Sequence, residues 1–341
     1  MLGKLGVSCA HMSKAETSYM IKAIKVTGGN LSWEPWEGPG EPPADHVEIE
    51  VVWTAINRAD LMQRAGVYPP PPGASDILGL EVSGRIASVG SGVAHLKPGD
   101  EVCALLTGGG YATRVVVPAV QVLPVPKGVS LETAAAIPEV FATAWLNLYH
   151  EAALKPGERV LLHAGASGLG TAVIQLATAF GNPVFATAGD KAKLEVCRNL
   201  GASGVWNRNE GSFVDAVTAW GGVDMVLDPV GGNYIAEDQR VLNVDGRIVL
   251  IGLMGGRMAE VDLGIMLIKR QRLIGSTLRS RTVEDKGEVM QALYRHVWPL
   301  LAAGQIEPLI DSTWPIEEVE EAMAYVAENR NTGKVLLKIS D

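Results

Sequence analysis

The amino-acid sequence predicts an α/β fold in which a doubly wound parallel sheet follows a small antiparallel β-barrel. Its 341 residues are about twice a common domain size, which favours two domains. Short strand patterns separated by turns fill residues 20–140, as in small barrels. From residue 141 strands alternate with helices, which is the pattern of parallel βαβ units covered on both faces.

The composition and charge of the chain exclude several classes of protein. With 47% hydrophobic and 20% charged residues, the chain does not belong to the disordered class. The net charge is −9 and no long Lys/Arg run interrupts it, so neither nucleic acid nor a membrane surface is expected as a partner. Apolar runs stay below the ~18 residues of a membrane helix. Cys9, Cys103 and Cys197 are far apart, which favours a reducing compartment, the cytoplasm.

The first nineteen residues differ in pattern from the rest of the chain. Residues 1–19 include Lys4, Lys14 and Glu16 and lack the continuous apolar segment of a secretory signal. We expect a disordered leader there, with a weak organellar address as the alternative. From Met20 the residues alternate as in a strand, so the folded protein is expected to begin there.

The first domain is predicted from its strands and turns. Strands are predicted at 47–55, 80–89 and 101–106, with a turn at 97–100. Residues Pro69–Pro72 form a loop, because consecutive prolines cannot lie in a central strand or a helix.

The second domain is predicted from alternating strands and helices. The strands are expected at 159–163, 184–187, 205–206, 224–227 and 247–251, and the helices at 171–180, 191–200 and 215–220. A last strand at 333–339 is expected to return to the first domain, since a filled parallel sheet needs no further edge strand. The predicted boundaries are therefore 20–140 and 300–341 for the first domain and 141–299 for the second.

A glycine-rich turn joins the first strand of the second domain to its first helix. It reads His163-Ala-Gly-Ala-Ser-Gly-Leu-Gly170, in the strand–turn–helix context of a dinucleotide fingerprint. Gly165 permits the tight turn, Ser167 and Gly168 let a pyrophosphate approach the backbone, and Gly170 allows close helix packing. The pyrophosphate would face the unpaired N–H groups of the helix N-terminus.

Two other interpretations of this turn compete with dinucleotide binding. An ordinary tight turn is the simplest, but five alternating βα elements around the turn favour dinucleotide binding. A nucleophile elbow also begins G-x-S, yet its fifth residue is Leu169 where glycine is required, and no acid–histidine order comes after it. The elbow is rejected.

The choice between NADP and NAD depends on the end of the second strand. The position of the acid that binds the ribose of NAD is occupied by Ala188, and Gly189 leaves room for a phosphate. Lys193 and Arg208 are near in the chain and favour NADPH, although a solvated helix start is the alternative for the lysine. Asp190 argues for NAD if it faces the ribose.

Six further stretches make a resemblance specific. They are Asn57–Arg64 (NRADLMQR), Pro70–Ser75 (PPPGAS), Ile77–Glu81 (ILGLE), Ala134–Glu139 (AAAIPE), Gly252–Gly256 (GLMGG) and Leu278–Arg281 (LRSR). With the glycine turn they resemble the zinc-free quinone oxidoreductases of the medium-chain dehydrogenase/reductase superfamily, over nearly all of residues 20–341. The resemblance implies a GroES-like barrel as the catalytic domain and a Rossmann domain that binds NADPH.

The same resemblance implies that no catalytic zinc is present. Zinc alcohol dehydrogenases of this superfamily have Cys-His where Asn57-Arg58 stands here, and Gly-His-Glu where Gly79-Leu80-Glu81 stands. The six histidines of this chain are isolated, with no ligand spacing. A quinone is already a strong electrophile, so hydride transfer to it needs no Lewis acid.

The resemblance also implies the site residues. Asn57 and Tyr68 would line the nicotinamide side of the cleft and are the predicted catalytic residues. The predicted cofactor contacts are Asn57, Tyr68, Gly165, Ser167, Gly168, Leu169, Gly170, Gly189, Lys193, Arg208, Gly231, Leu253, Met254, Leu278 and Asn331. The alternatives are a packed aromatic for Tyr68 and a turn-capping amide for Asn57. Glu81 is interpreted as a remnant of the metal site or as a local ion pair.

The expected activity is NADPH-dependent reduction of quinones. One alternative is reduction of an enone or 2-alkenal double bond, with a proton source such as Tyr68. A polyketide-type enoyl reductase is less favoured because no carrier domain accompanies the chain, and a crystallin-like NADPH-binding protein is the non-enzymatic alternative. A homodimer through the edge strands of two Rossmann sheets is expected, with the apolar stretch Asp245–Met254 near that edge.

Overall fold

The computed structural model describes residues 19–340, so the expectations for residues 1–18 lie outside the described residues. Tyr19, the last residue of the expected leader, packs against the core of the first domain, and its carbonyl accepts a 2.8 Å hydrogen bond from the Gly38 N–H. No helix within residues 19–340 has both the length and the hydrophobicity that crossing a bilayer requires.

The described elements form two blocks along the chain. The strands are β1 (Met20–Thr27), β2 (Asn30–Glu37), β3 (His46–Ala55), β4 (Glu81–Val89), β5 (Glu101–Leu105), β6 (Arg114–Pro118), β7 (Val122–Pro124), β8 (Val160–Leu162), β9 (Val184–Ala188), β10 (Gly204–Asn207), β11 (Val223–Asp228), β12 (Leu242–Leu250), β13 (Arg272–Gly275), β14 (Ile310–Pro315) and β15 (Lys334–Lys338). The helices are α1 (Arg58–Arg64), α2 (Leu131–Ala134), α3 (Pro138–Trp145), α4 (Gly168–Ala179), α5 (Lys191–Asn199), α6 (Val214–Ala219), α7 (Tyr234–Val241), α8 (Leu263–Lys269), α9 (Val283–His296), α10 (Trp298–Ala302) and α11 (Val319–Ala327).

The first domain is built on a mixed sheet and a hairpin. The sheet has the order β14-β15-β3-β4-β5-β7, with β6 paired to β3, while β1 and β2 form the hairpin. Its pairs are antiparallel except for β14 and β15, which run parallel. The expectation of a purely antiparallel barrel was wrong at this edge. The reason is that α11 crosses between β14 and β15, and such a crossover returns the chain in the same direction.

The strand β15 completes this sheet from far along the chain. It pairs antiparallel with β3 through Leu336–Ala55 and Leu337–Thr54. The domain boundaries themselves remain predictions. The one proposed at 299/300 falls inside α10, and α9 packs against both α3 and the turn at 119–121 of the first domain.

The second domain is a six-stranded parallel sheet in the order β10-β9-β8-β11-β12-β13. The chain moves outwards from β8 to β10, returns to β11 and then moves outwards in the other direction. This is the Rossmann order, and its reversal between β8 and β11 opens a crevice at the carboxyl ends of the strands. The edge strand is β13, which the sequence pattern did not indicate, so the stretch 245–254 contributes the neighbouring strand and not the edge.

Candidate functional site

The strands of the parallel sheet deliver four loops to one edge. The glycine turn comes after β8, Gly189 after β9, Gly231 after β11, and Leu253 with Met254 after β12. Because all of these strands run parallel, their carboxyl ends meet at the same edge of the sheet. Most of the predicted cofactor residues of the second domain are therefore brought together there.

The glycine turn is packed so closely that its glycines leave little room for side chains. A Cβ on Gly165 would lie 2.8 Å from Ala186 Cβ, and one on Gly170 would lie 2.4 Å from the Ala164 carbonyl oxygen. Ser167 caps α4, its hydroxyl accepting a 3.0 Å hydrogen bond from the Gly170 N–H. The N–H groups of Gly168 and Leu169 belong to the first turn, where a helix offers no backbone acceptor.

A segment of the C-terminal region lies across this turn. The Gly333 N–H donates to the Ala166 carbonyl at 2.9 Å, and Gly333 forms a parallel bridge with Ser167. Asn331 folds back on the same segment, since its amide donates to the Gly333 carbonyl at 2.8 Å. Asn331 thus lies beside the predicted pyrophosphate turn, although its side chain is used within its own loop.

Lys334 connects the glycine turn to the first domain. A Cβ on Gly168 would lie 2.5 Å from the Cδ atom of Lys334, so the lysine stem passes directly over the turn. Its ammonium donates to Asn57 Oδ1 and to Glu81 Oε1, both at 2.7 Å. Asn57 Nδ2 closes the triangle with a 2.9 Å bond to Glu81 Oε1. Glu81 therefore forms an ion pair, one of the two roles that the sequence had left open.

Two more carboxylates surround this triangle. Glu139 donates its backbone N–H to Glu81 Oε2 at 2.9 Å and accepts the Thr143 hydroxyl at 3.0 Å. Burial, partly offset by Lys334, raises the pKa of Glu139 to about 7. Asp60 accepts the Asn57 N–H at 2.8 Å, and burial raises its pKa to about 6. Burial therefore raises the pKa of both Glu139 and Asp60 towards neutral pH beside the ammonium of Lys334.

Tyr68 is partly buried beside the proline loop. Arg279 lies over its ring, with the guanidinium carbon 5.4 Å from the ring centroid. Burial raises the pKa of the Tyr68 phenol, Arg279 lowers it and Glu139 raises it again. The phenol is therefore protonated at neutral pH and able to donate, while the packed-aromatic alternative also describes its contact with Arg279.

The predicted 2′-phosphate pocket consists of Gly189, Lys193 and Arg208. A Cβ on Gly189 would lie 3.1 Å from Arg208 Nη2, so the exposed guanidinium covers the turn after β9. Asp190 caps α5, and its carboxylate accepts the Lys193 N–H at 2.9 Å. The ammonium of Lys193 is turned away and donates to the Asn329 carbonyl.

The remaining predicted contacts lie in the loops that follow β11, β12 and β13. The Gly231 N–H donates to both oxygens of Asp228 at 3.0 Å, and Gly231 bridges to Gly256. Leu253 and Met254 are about half exposed, with 45% and 52% of their surface accessible. Leu278 differs from them because it is 9% exposed and packs in the hydrophobic core, so its predicted cofactor contact gains no support from its packing.

Sequence reasoning missed Lys334, Asp60, Glu139 and Arg279. Each lies in a stretch that carries the resemblance or was predicted as a strand, yet none was assigned a function. Lys334 gave one signal, because it is a charged residue at the start of the apolar strand GKVLLKI; the structure shows that it is only 3% exposed. Nothing in the local sequence shows that it meets residues 57 and 81.

The two-domain fold and the cleft at the carboxyl edge of the sheet define an oxidoreductase of the medium-chain dehydrogenase/reductase class. Residues 168–295 match the family model of zinc-binding dehydrogenases, and residues 43–127 match the GroES-like domain of alcohol dehydrogenases. Quinone oxidoreductase-like protein 2 of Bos taurus is 33% identical over 297 residues, which are 86% of this chain and 85% of the relative. The chain belongs to this superfamily, and the resemblance and the fold class are confirmed.

Two solved structures have the same fold. Escherichia coli quinone oxidoreductase, solved with NADPH, is 27% identical with a TM-score of 0.82 and matches 94% of this chain and 99% of its own. The CurK enoyl reductase is 29% identical with a TM-score of 0.81, and the same shares are covered. The relatives thus include reductases of two substrate classes.

The family model's description implies zinc, but the residues do not fit that ion. Where the zinc enzymes of the superfamily have Cys-His this chain has Asn57-Arg58, and the His of their Gly-His-Glu is Leu80 here. The ammonium of Lys334 is bonded to Asn57 and Glu81. Zinc prefers thiolate, imidazole and free carboxylate ligands. A cation that donates hydrogen bonds already satisfies the oxygen atoms a metal would need.

Proposed function

We propose that this chain is a cytoplasmic, zinc-independent reductase that uses NADPH to reduce quinones. One observation carries the proposal: beside the glycine turn, the ammonium of Lys334 occupies the space between Asn57 and Glu81 and bonds to both. A site without a Lewis acid suits a substrate that accepts hydride unaided, and a quinone is such a substrate. The relatives named quinone oxidoreductase support this choice of substrate.

The residues of the cleft fit NADPH. Gly165 and Gly170 let the chain turn tightly into α4, where Gly168 and Leu169 present N–H groups from which a pyrophosphate could accept hydrogen bonds. Arg208 covers Gly189 and offers a guanidinium to a 2′-phosphate. The Asp190 carboxylate is engaged as a helix cap, and the Arg208 guanidinium over Gly189 favours NADPH over NADH. When bound, this cofactor would supply the hydride.

The protein's own residues would orient the reactants and supply the proton. Reduction of a quinone to a hydroquinone takes one hydride and one proton in total, since the two carbonyls are conjugated and are converted together. Tyr68 is held as a phenol by its burial and is the candidate donor. Asn57 is fixed by two hydrogen bonds to Lys334 and Glu81, so its position beside the reacting ring would be rigid.

The test measures NADPH oxidation with ortho-quinones, para-quinones and 2-alkenals. We expect turnover with quinones, and a lower rate in the Tyr68→Phe variant at unchanged NADPH affinity. Activity restricted to alkenals would contradict the proposal and would establish the second candidate, double-bond reduction. That candidate is favoured by the similarity to the CurK enoyl reductase. NADPH binding without turnover of any acceptor would establish the non-enzymatic alternative.

A further inference from the structure

One groove of the molecule is lined by residues other than the predicted cofactor contacts. Its volume is about 640 Å³, and its walls are the loop at 71–75, the turn at 106–109, strand β6 and the segment 279–286. None of the residues that were predicted to hold the cofactor lines it. The volume is in the range of pockets that bind small organic molecules.

Two buried cations converge on one wall of this groove. Lys286 is 3% exposed and Arg279 is 5% exposed, and both line the groove. Lys286 Nζ donates to the Thr107 hydroxyl at 2.8 Å, and Arg279 Nε donates to the Thr107 carbonyl at 2.9 Å. Arg279 also donates to Gln63 Oε1 at 2.6 Å, but its Nη1 atom is buried without a hydrogen-bond partner.

Neither cation has a carboxylate partner. The other arginines of the groove do, since Arg114 lies 3.3 Å from Glu48 and Arg281 is bonded to Glu151. No such ion pair exists for Lys286 or Arg279 within residues 19–340. Burial and the neighbouring Arg279 lower the pKa of Lys286 to about 8, which is the effect of a charge that lacks compensation.

Burial of two unpaired cations is costly, and folded proteins rarely retain it without a use. Among the described residues that line the groove, one glutamate, Glu37, stands against three arginines and one lysine. The groove is therefore positively charged. The rest of the lining is largely apolar and includes Ile77, Leu106, Val115 and Val283.

We propose that this groove binds an amphiphilic organic anion, with an acidic head on Lys286 and Arg279 and an apolar body along the apolar part of the lining. Carboxylate and phosphate heads share the required chemistry, since each accepts several charge-assisted hydrogen bonds. The buried Nη1 of Arg279 and the remaining donors of Lys286 supply them. Arg279 also lies over the Tyr68 ring, so the test changes Lys286 and Val283, which lie outside the predicted cofactor contacts, and leaves Arg279 in place.

Calorimetric titration of the full chain, without NADPH, tests this binding. The probes are octanoate and octyl phosphate, with octanol as their neutral counterpart. We expect at least one of the anions to bind roughly ten-fold more tightly than octanol, because the alcohol brings no charge to the cations. The stronger of the two anions identifies the head group. Equal affinity of both anions and octanol would overturn the proposal.

Variants locate the site. Lys286→Met keeps the apolar stem and should weaken binding of the preferred anion by roughly ten-fold or more, while octanol binding stays the same. Lys286→Arg should retain the anion, and Lys127→Met, at an exposed lysine elsewhere, should change nothing. Val283→Glu places an acid at the exposed rim and should also weaken anion binding. Unchanged affinity in both Lys286→Met and Val283→Glu would refute the site, whatever the result of the quinone assay.

Discussion

Lys334 shows how a single residue joins the two domains. Its backbone begins the last strand of the first domain, its stem covers Gly168, and its ammonium holds Asn57 and Glu81. Removing one member of a buried ion pair costs about 3–5 kcal/mol, because the other charge is left alone. The position of Asn57, a predicted cofactor contact, therefore depends on a residue that lies far along the chain.

Arg208 carries the charge that would select NADPH over NADH, and its substitution tests this role directly. Arg208→Ala should weaken NADPH binding by roughly ten- to a hundred-fold and leave NADH little changed, since only NADPH carries the 2′-phosphate. Lys193→Ala should have a milder effect, because its ammonium is already bonded to Asn329. Fluorescence titration with both cofactors measures these affinities.

Controls separate phosphate recognition from support of the fold. Arg198→Ala, on the exposed face of α5, should leave both affinities unchanged. Asp190→Ser keeps a helix-capping residue and should improve NADPH binding slightly by removing a negative charge. Equal losses of NADPH and NADH in Arg208→Ala would show that the arginine supports the structure and does not select the phosphate.

Glu139 makes stability depend on pH. Its pKa is about 7 in the folded protein against 4.5 normally, so the folded state holds more protons than the unfolded state between these values. The free energy of unfolding must then fall as the pH rises from about 4.5 to 7. In Glu139→Gln this part of the fall should be absent, and urea unfolding at a series of pH values measures it. Parallel curves for wild type and variant would contradict this assignment, and Glu260→Gln, at an exposed position, is the control.

Among the site residues, those in local motifs were predictable and those in long-range contacts were not. The glycine turn and Gly189 could be located because their function depends on strand, turn and helix in sequence. Lys334, Glu139 and Arg279 depend on contacts between segments separated by more than fifty residues. A charged residue within an apolar stretch, such as Lys334, is the local signal that the sequence gives of such contacts.

At the scale of elements, the start of α4 depends on the absence of side chains. In Gly170→Ala the added Cβ would meet backbone oxygen atoms of residues 164 and 165 at 2.4 and 2.5 Å. Backbone cannot move away cheaply, so we expect a loss of about 3 kcal/mol, the upper end of usual overpacking costs. Chemical denaturation of the two proteins measures the difference.

The matched variant is Gly168→Ala in the same turn. Its nearest neighbour is the flexible side chain of Lys334 and not backbone. This variant should therefore lose less stability than Gly170→Ala. A larger loss in Gly168→Ala would mean that displacing Lys334 is the dominant cost.

Long elements with a clear period were predicted from the sequence, whereas short edge elements were not. The strands β3, β4, β9 and β11 and the helices α4 and α5 begin and end within a few residues of their expected bounds. The strand β13 has four residues and three of them are exposed, so it lacks the buried apolar run that identified the other parallel strands. Parallel pairing of β14 depends on the α11 crossover, which a strand pattern alone does not show.

At the scale of the molecule, the free edge of the Rossmann sheet is apolar. Leu263, Leu267 and Ile268 of α8 are 70%, 79% and 80% exposed, and Leu273 of β13 is 42% exposed. Such a patch beside an unpaired strand marks an interface. We expect a homodimer through this edge, with two β13 strands side by side.

Sedimentation at micromolar concentration tests the dimer. Wild type should sediment as a dimer, and Leu267→Glu should shift it to a monomer because a charge would be buried at the contact. Met20→Glu changes an equally exposed residue of the first domain and should have no effect. A monomeric wild type would rule out this assembly.

The late return of β15 sets an order for folding during synthesis. Strand β3 ends at residue 55, but its neighbour β15 begins only at residue 334, after the whole Rossmann sheet has left the ribosome. The second domain can therefore fold first, because its segments are consecutive in the chain. The part of β3 that pairs with β15 stays unpaired until β15 has been synthesised. Such distant pairing is slow because a long loop must close before any contact rewards it. The predicted cleft is thus assembled last, when Lys334 arrives beside Asn57 and Glu81, and a nascent chain lacks the complete site until then.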